Sequence, residues 1–258
     1  MASPSPDRLG EYYDRQYGVA LHESQDLEIP LRWDSRATSL IALGRLFSRF
    51  APDDVFMDIG PGYGDALRLA RHMLPEPRLA CVEFNQDLVR FYRSVMPQIS
   101  AHTSIKGALE EFGPGGVKYV YAAHSLEHFD IKDLKIELQN IRNLLHKNGA
   151  FIIEVPHVPE HAFNAARNHT PHLIFFSRKG LGKMLQGAGF RVRLCVEVIG
   201  KYGAGKNYAA SMRQKAPEET EKALAQQLAA VNAGDWIGAP DNAKRGKILK
   251  CVVQKMGD

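Results

Sequence analysis

Cysteine is scarce in this chain: Cys81, Cys195 and Cys251 are the only three among 258 residues. Three scattered thiols, two or three of them inside apparent strands, give neither a disulfide frame nor a zinc set, and they fit a reducing compartment. Long apolar runs are missing as well. No stretch approaches the roughly 20 residues that a membrane-spanning helix needs, and the opening Met1-Ala2-Ser3-Pro4-Ser5-Pro6 has no apolar signal core. A cytoplasmic protein without a membrane partner is expected. Excess charge is small too, since 33 Lys and Arg against 29 Asp and Glu leave a net +4. That balance demands no nucleic acid and permits an anionic small molecule. Internal repeats and low-complexity tracts are absent from the sequence.

What is present is an alternation of short apolar runs and amphipathic ones, with 45% hydrophobic residues. A chain of this length can bury a substantial core. Strands alternating with helices imply a mostly parallel sheet covered on both faces. Strands are expected near 54–58, 78–83, 99–104, 118–123, 149–155 and 191–199. The most informative run is Val55-Phe56-Met57-Asp58-Ile59-Gly60-Pro61-Gly62-Tyr63-Gly64. It reads as a buried strand carrying one acid, then glycine at every second position, then a helix over Asp65 to Met73. Glycine tolerates φ > 0 and has no Cβ, so the main chain can approach a ligand closely. The helix behind it turns its free N–H groups toward the same place. A dinucleotide fingerprint would need G-x-G-x-x-G; here Asp65 stands where its third glycine belongs.

A second strand over Arg78 to Val82 runs into Glu83, about twenty residues past the glycine turn. An acid at that place can accept from both hydroxyls of a ribose, which points to an adenosine-containing cofactor without choosing among them. Further on, Tyr119 to Ala123 is a strand, followed by His124-Ser125-Leu126-Glu127-His128-Phe129. The next helix carries Leu134, Leu138, Ile141, Leu144 and Leu145 on one face and is expected to stop at Asn148-Gly149. A fully apolar strand from Ala150 to Val155 succeeds it.

The pattern D-x-G-x-G-x-G resembles motif I of the class I methyltransferases, which bind S-adenosylmethionine (SAM). The collinear series "SLEHF", "LLHKNG", "FIIEVPH", His172-Leu173-Ile174-Phe175-Phe176-Ser177 and Ala188-Gly189-Phe190 resembles the small-molecule methyltransferases grouped as types 11 and 23, over about residues 52–199. The resemblance implies an α/β, Rossmann-like fold: a seven-stranded, mostly parallel sheet with helices on both faces, an N-terminal helical lid and a C-terminal extension. Residues 1–50 would be the lid, 51–215 the SAM-binding core, and 216–258 a helix–strand extension or an insert before the last strand. In the first of these, a helix begins at Ser35 or Thr38, and Tyr12, Tyr13, Tyr17 and Trp33 either cover the pocket or simply pack. Two segments compete for the last strand. Asn207 to Arg213 is preferred, pairing antiparallel with 191–199; Ile248 to Gln254 is the near equal, with a helical insert over Pro217 to Asn232 before it.

The resemblance also implies residue roles. Asp58 would face the methionine ammonium of SAM, a charge-assisted contact. Gly60, Pro61, Gly62 and Gly64 would form the close-approach turn. Glu83 would hold the ribose diol, with Phe84 and Asn85 beside the adenine, and His124 would touch the methionyl portion. Relatives usually carry an Asp in the loop after the third strand to accept from the adenine amino group. Here that loop reads Lys106-Gly107-Ala108-Leu109-Glu110, which places Ala108 and Leu109 at the position and leaves open whether Glu110 substitutes. The Asp that usually opens the fourth strand is replaced by Lys118.

Methyl transfer is an in-line displacement at a sulfonium, and positioning is the enzyme's main task. The expected acceptor is a small molecule attacked at oxygen, with carbon and nitrogen as alternatives. A histidine base suits neutral pH, and His128, His157 and His172 are the candidates, each with a structural hydrogen-bonding role as its plain alternative. Glu127 would orient His128 or cap the next helix. His157 with His161, and His169 with His172, are loosely spaced and lack a cysteine, so no metal site is expected. The fourth strand lacks the Asn/Asp-Pro-Pro-aromatic motif of enzymes that methylate nucleobase or glutamine amino groups. Two other readings stand beside this one: a catalytically silent SAM-fold scaffold, kept alive by Ala108, and an NAD(P)-dependent oxidoreductase, disfavoured by Gly64-Asp65 and by the lack of a Tyr-x-x-x-Lys pair. A homodimer joined through the extension is compatible with either of the first two.

Overall fold

The computed structural model describes residues 35–62, 64–158, 172–199 and 247–257. Its elements run in the order α1 (Ser35–Phe47), β1 (Val55–Ile59), α2 (Asp65–Met73), β2 (Arg78–Val82), α3 (Gln86–Val95), β3 (Ile99–His102), α4 (Ile105–Phe112), β4 (Val117–Ala123), a 3₁₀ turn (Leu126–His128), α5 (Ile131–Leu144), β5 (Leu145–His157), α6 (Arg178–Gly187), β6 (Phe190–Ile199) and β7 (Lys247–Lys255). The strands form one seven-stranded sheet in the order β3-β2-β1-β4-β5-β7-β6. β1 is parallel to β2 and β4, β2 to β3, and β4 to β5. β7 runs antiparallel to both β5 and β6.

Every residue of β1 is buried, as a strand covered on both faces requires. Its side chains alternate between two cores. Phe56 joins Leu40, Leu67, Leu69, Tyr92, Tyr119, Tyr121 and Ile152 on the side of α1, α2 and α3. Met57 and Ile59 join Val120, Leu138, Ile141, Phe151 and Ile153 on the side of α4, α5 and α6. Asp58 therefore shares the face of Phe56, and an acid on an apolar face calls for a reason.

The chain builds β1, β2 and β3 outward in one direction and then returns to lay β4 on the other side of β1. Strand order reverses between β1 and β4, and in open α/β sheets ligands bind in the crevice beyond the strand ends at that point. The Gly60–Gly64 turn leaves β1 there, and His124 leaves β4 beside it.

Three expectations need correction. The seventh strand of the described sheet is β7, in the register Cys251 opposite both Ile153 and Cys195, so the sheet draws on the chain beyond residue 215; Asn207 to Arg213 lies outside the described residues. Asn148-Gly149 is not a helix end. α5 stops at Leu144, with Leu145 as its C-cap, and Asn148 and Gly149 lie in β5 where its pairing with β4 shifts between Val117 and Tyr119. A Cβ at Gly149 would stand 2.6 Å from the Lys118 carbonyl oxygen, which explains the glycine. Residues 106–110 are not a loop: Ser104 caps α4 by accepting from Gly107 N–H at 3.0 Å, so the helix starts directly after β3. The helix over Ser35–Phe47 is as expected, whereas Tyr12, Tyr13, Tyr17, Trp33, His161, His169 and the 217–232 segment lie outside the described residues.

Candidate functional site

The turn after β1 takes all three glycines into the left-handed region, with φ of 72° at Gly60, 54° at Gly62 and 82° at Gly64. The Gly60 N–H donates to the Val82 carbonyl at 2.9 Å, which anchors the turn to the end of β2. Tyr92, on α3, donates its hydroxyl to the Gly62 carbonyl at 2.7 Å. Gly64 then precedes α2 with no side chain to cap it, so the first N–H groups of that helix and their positive end face the crevice. Tyr92→Phe should cost about 1 kcal/mol in denaturant unfolding and loosen the turn; an unchanged midpoint would show that the hydroxyl does not hold it.

Asp58 is 2% exposed beneath this turn. Burial, then the nearby charges of Glu83 and Asp65, push its carboxyl well above the ordinary range. Burial also raises Glu83, partly offset by backbone hydrogen bonds from Asn85 and Phe84; Asn85 N–H donates to Glu83 Oε1 at 2.9 Å. Three acids thus converge at the mouth of β1 and β2, where a cationic ligand group would relieve them.

The neighbouring residues divide. Phe84 is exposed and meets Phe129 edge-to-face with centroids 5.3 Å apart. The Asn85 side chain caps α3 instead, accepting from Asp87 N–H at 2.8 Å and Leu88 N–H at 3.2 Å. Ala108 is 0% exposed within the core below α4, and Leu109 packs against that same core. Ala108 thus presents no surface to a ligand, and its lack of a carboxyl says little about the cofactor.

His124 sits at the end of β4 with φ of 55°, a conformation uncommon outside glycine that clusters at functional sites. Its Nε2 lies 3.1 Å from Glu154 Oε1 and its Nδ1 lies 3.3 Å from Glu127 Oε1. Burial alone would lower its pKa, but hydrogen bonds and charge from both glutamates outweigh it and raise the ring to about 9. The two carboxylates thus favour the imidazolium form of His124 at neutral pH. Glu154 is 0% exposed and lies 3.5 Å from the buried Lys250 Nζ, its register partner on β7. Glu154 is passed over by spacing alone, whereas Glu127, expected as a partner of His128 or a helix cap, reaches His124 and His172. Glu154 carried one signal, a carboxylate in the otherwise apolar run Phe151-Ile152-Ile153-Glu154-Val155.

The three candidate base histidines do not converge. His128 and His172 do, with ring centroids 4.9 Å apart and His172 Nε2 at 3.8 Å from Glu127 Oε1. Backbone N–H groups of Leu173 and Ile174 donate to the Glu127 carbonyl at 2.9 and 3.1 Å, which pins the His172 segment over the turn. Burial lowers both rings, against the pull of Glu127, so both are neutral at pH 7. His157 goes elsewhere. It closes β5 with Nε2 at 3.9 Å from Glu197 on β6, and it lines a separate cavity of about 730 Å³ with Arg178, Lys183 and Arg193.

Comparison with known proteins accords with this geometry. A family model described as a methyltransferase domain matches residues 34–194. No curated protein matches the chain. Among solved structures, a Haloferax volcanii protein in complex with the Trm112 methyltransferase activator is 16% identical with a TM-score of 0.60, covering 99% of each chain. The Burkholderia thailandensis 1,6-didemethyltoxoflavin N1-methyltransferase, solved with its substrate and S-adenosylhomocysteine, is 14% identical with a TM-score of 0.54, covering 100% of this chain and 93% of the other. The Streptomyces coelicolor geranyl diphosphate C-methyltransferase, solved with Mg²⁺ and S-adenosylhomocysteine, is 15% identical with a TM-score of 0.56, covering 86% of this chain and 76% of the other. At these identities the likeness is one of fold.

Proposed function

The chain belongs to this methyltransferase domain family, and from that premise we propose that it transfers a methyl group from SAM to an oxygen of a small-molecule acceptor. The observation that carries the reading is the convergence, at the reversal of strand order, of a three-glycine turn, the buried Asp58, Glu83 and the paired His124. Asp58 and its acidic neighbours receive the methionine ammonium. Glu83 holds the ribose diol while Asn85 N–H fixes one of its oxygens. Phe84 and Phe129 offer an aromatic corner for the adenine. The imidazolium of His124, held by two glutamates, faces the methionyl portion, where a carboxylate would meet it.

Transfer needs the acceptor oxygen in line with the sulfonium carbon. As that oxygen attacks, the C–S bond breaks and its electron pair returns to sulfur, leaving S-adenosylhomocysteine. The acceptor's proton leaves at the group formed by Glu127, His128 and His172, where a neutral imidazole can receive it. Relatives in fold act on small molecules, and the described helices include none long and apolar enough to cross a membrane. The free thiols Cys81, Cys195 and Cys251 fit a cytoplasmic setting.

The experiment is a calorimetric titration of S-adenosylhomocysteine into the full chain, followed by transfer of labelled methyl from SAM to matched hydroxyl and amine acceptors. Saturable binding is expected, with Glu83→Ala weakening it by about tenfold, the loss of about 1.4 kcal/mol. Absence of binding to the wild type would remove the reading. Label carried only by amines would retain methyl transfer and correct the attacked atom.

A further inference from the structure

One carboxylate oxygen of Glu127 and one ring nitrogen each of His128 and His172 lie within 4.8 Å of one another. The set unites two distant parts of the chain, and differs from the loop pairs His157/His161 and His169/His172 that spacing alone suggests. Glu127 is 0% exposed. Both of its carboxylate oxygens are closed off from water. Oε1 faces imidazole nitrogens, His124 Nδ1 at 3.3 Å and His172 Nε2 at 3.8 Å, while Oε2 has no hydrogen-bond partner among the described residues. A buried carboxylate is expensive unless paired or bound to a metal, and here the atoms around it are those that ligate metals.

We propose that Glu127, His128 and His172 hold a divalent transition cation, Zn²⁺ or Mn²⁺, which takes the acceptor hydroxyl as a further ligand. Two imidazoles and one carboxylate suit such ions, and three protein ligands leave coordination positions open. Ligands about 2.1 Å from one tetrahedral ion stand about 3.4 Å apart, so the trio must draw in by up to about 1.4 Å, within the reach of side-chain torsions. His124 Nδ1, at 3.3 Å from Glu127 Oε1, steadies the carboxylate, and neighbours of this kind commonly orient metal ligands. The inference rests on the methyl-transfer reading and changes how the acceptor is activated. With the ion bound, both imidazoles are ligands, and the coordinated hydroxyl, made more acidic by the cation, releases its proton to solvent. The resulting oxygen anion forms the C–O bond as the C–S bond breaks.

The test strips the purified full chain with a chelator and titrates it with ZnCl₂ by calorimetry, then with MnCl₂ by loss of the free-ion paramagnetic signal. One ion per chain is expected, bound at least about tenfold more weakly by His172→Ala and by Glu127→Gln, and equally by His72→Ala on the exposed side of α2. Circular dichroism checks each fold. Should Glu127→Gln not fold, His172→Ala carries the test, because His172 lies on a partly exposed segment. No saturable ion, or an ion whose affinity neither variant changes, would overturn the proposal. S-adenosylhomocysteine titrated into the stripped chain separates the two readings: binding of that ligand without any ion site removes the cation alone, and an ion site without it supports the cation while removing methyl transfer.

Discussion

Replacing Asp58 by asparagine should make the protein more stable and unable to bind its cofactor. Asp58 occupies the apolar face of β1, opposite Cys81 and Tyr121 in the register, with two further acids nearby. Because burial raises its pKa, the folded chain binds that proton more tightly than the unfolded chain does. The stability this gives is complete below the unfolded carboxyl's pKa and is lost as pH rises through the raised one. At neutral pH the buried acid is held at a cost, whichever form it takes, that Asp58→Asn removes while keeping the shape. Thermal unfolding should therefore move upward, by about 2–4 °C for each kcal/mol recovered. The gain should be largest at neutral pH and shrink toward pH 4. S-adenosylhomocysteine affinity should fall by roughly thirtyfold, the loss of a charged hydrogen bond of about 2 kcal/mol. A variant that is less stable than the wild type at pH 7 would mean that Asp58 is retained for packing. Unchanged affinity would remove it from the cofactor site.

The same residue shows what local sequence reveals. An acid inside the run Val55-Phe56-Met57-Asp58-Ile59, followed by alternate glycines, has few structural explanations, and β1 and its turn stand where those residues place them. The 3–4 spacing of Leu134, Leu138, Ile141 and Leu144 likewise fixes the buried face of α5. Long-range pairing is another matter. Ile248 to Gln254 and Asn207 to Arg213 are equally good strands by composition, and only the sheet shows that the former lies between β5 and β6. The site divides in the same way. Asp58 within β1, and Glu83, the glycines and His124 just after strands, stand out by position alone. The grouping of Glu127 with His172, and of Glu154 with both His124 and Lys250, depends on strands and loops brought together from across the chain. The Asn85 cap on α3 and the burial of Ala108 have a common reason. Where a helix begins decides whether a side chain points at the crevice, caps the helix or enters the core, and that boundary is the weakest part of a sequence reading.

Two glycines of the same turn, two residues apart, should fail in different ways when each gains a methyl group. Both Gly60 and Gly62 have positive φ, of 72° and 54°, so alanine costs about 1–2 kcal/mol of backbone strain at either position. Their surroundings differ. A Cβ at Gly60 would stand 2.8 Å from the Ser125 Cβ, closer than real Cβ contacts allow, and Ser125 is itself buried and held between His124 and the Leu126–His128 turn. Overpacking of this kind adds about 1–3 kcal/mol, so Gly60→Ala should lose about 2–5 kcal/mol of folding stability and drag His124 and Glu127 out of register. A Cβ at Gly62 meets no atom within 4 Å. Gly62→Ala should therefore lose only the strain term. The added methyl would project where a bound cofactor needs the main chain close, so its S-adenosylhomocysteine affinity should fall by more than tenfold while the fold survives. Chemical denaturation and calorimetry on the two variants measure both quantities. Equal losses of stability would deny the Ser125 contact its role, and normal affinity in Gly62→Ala would place the cofactor away from the turn.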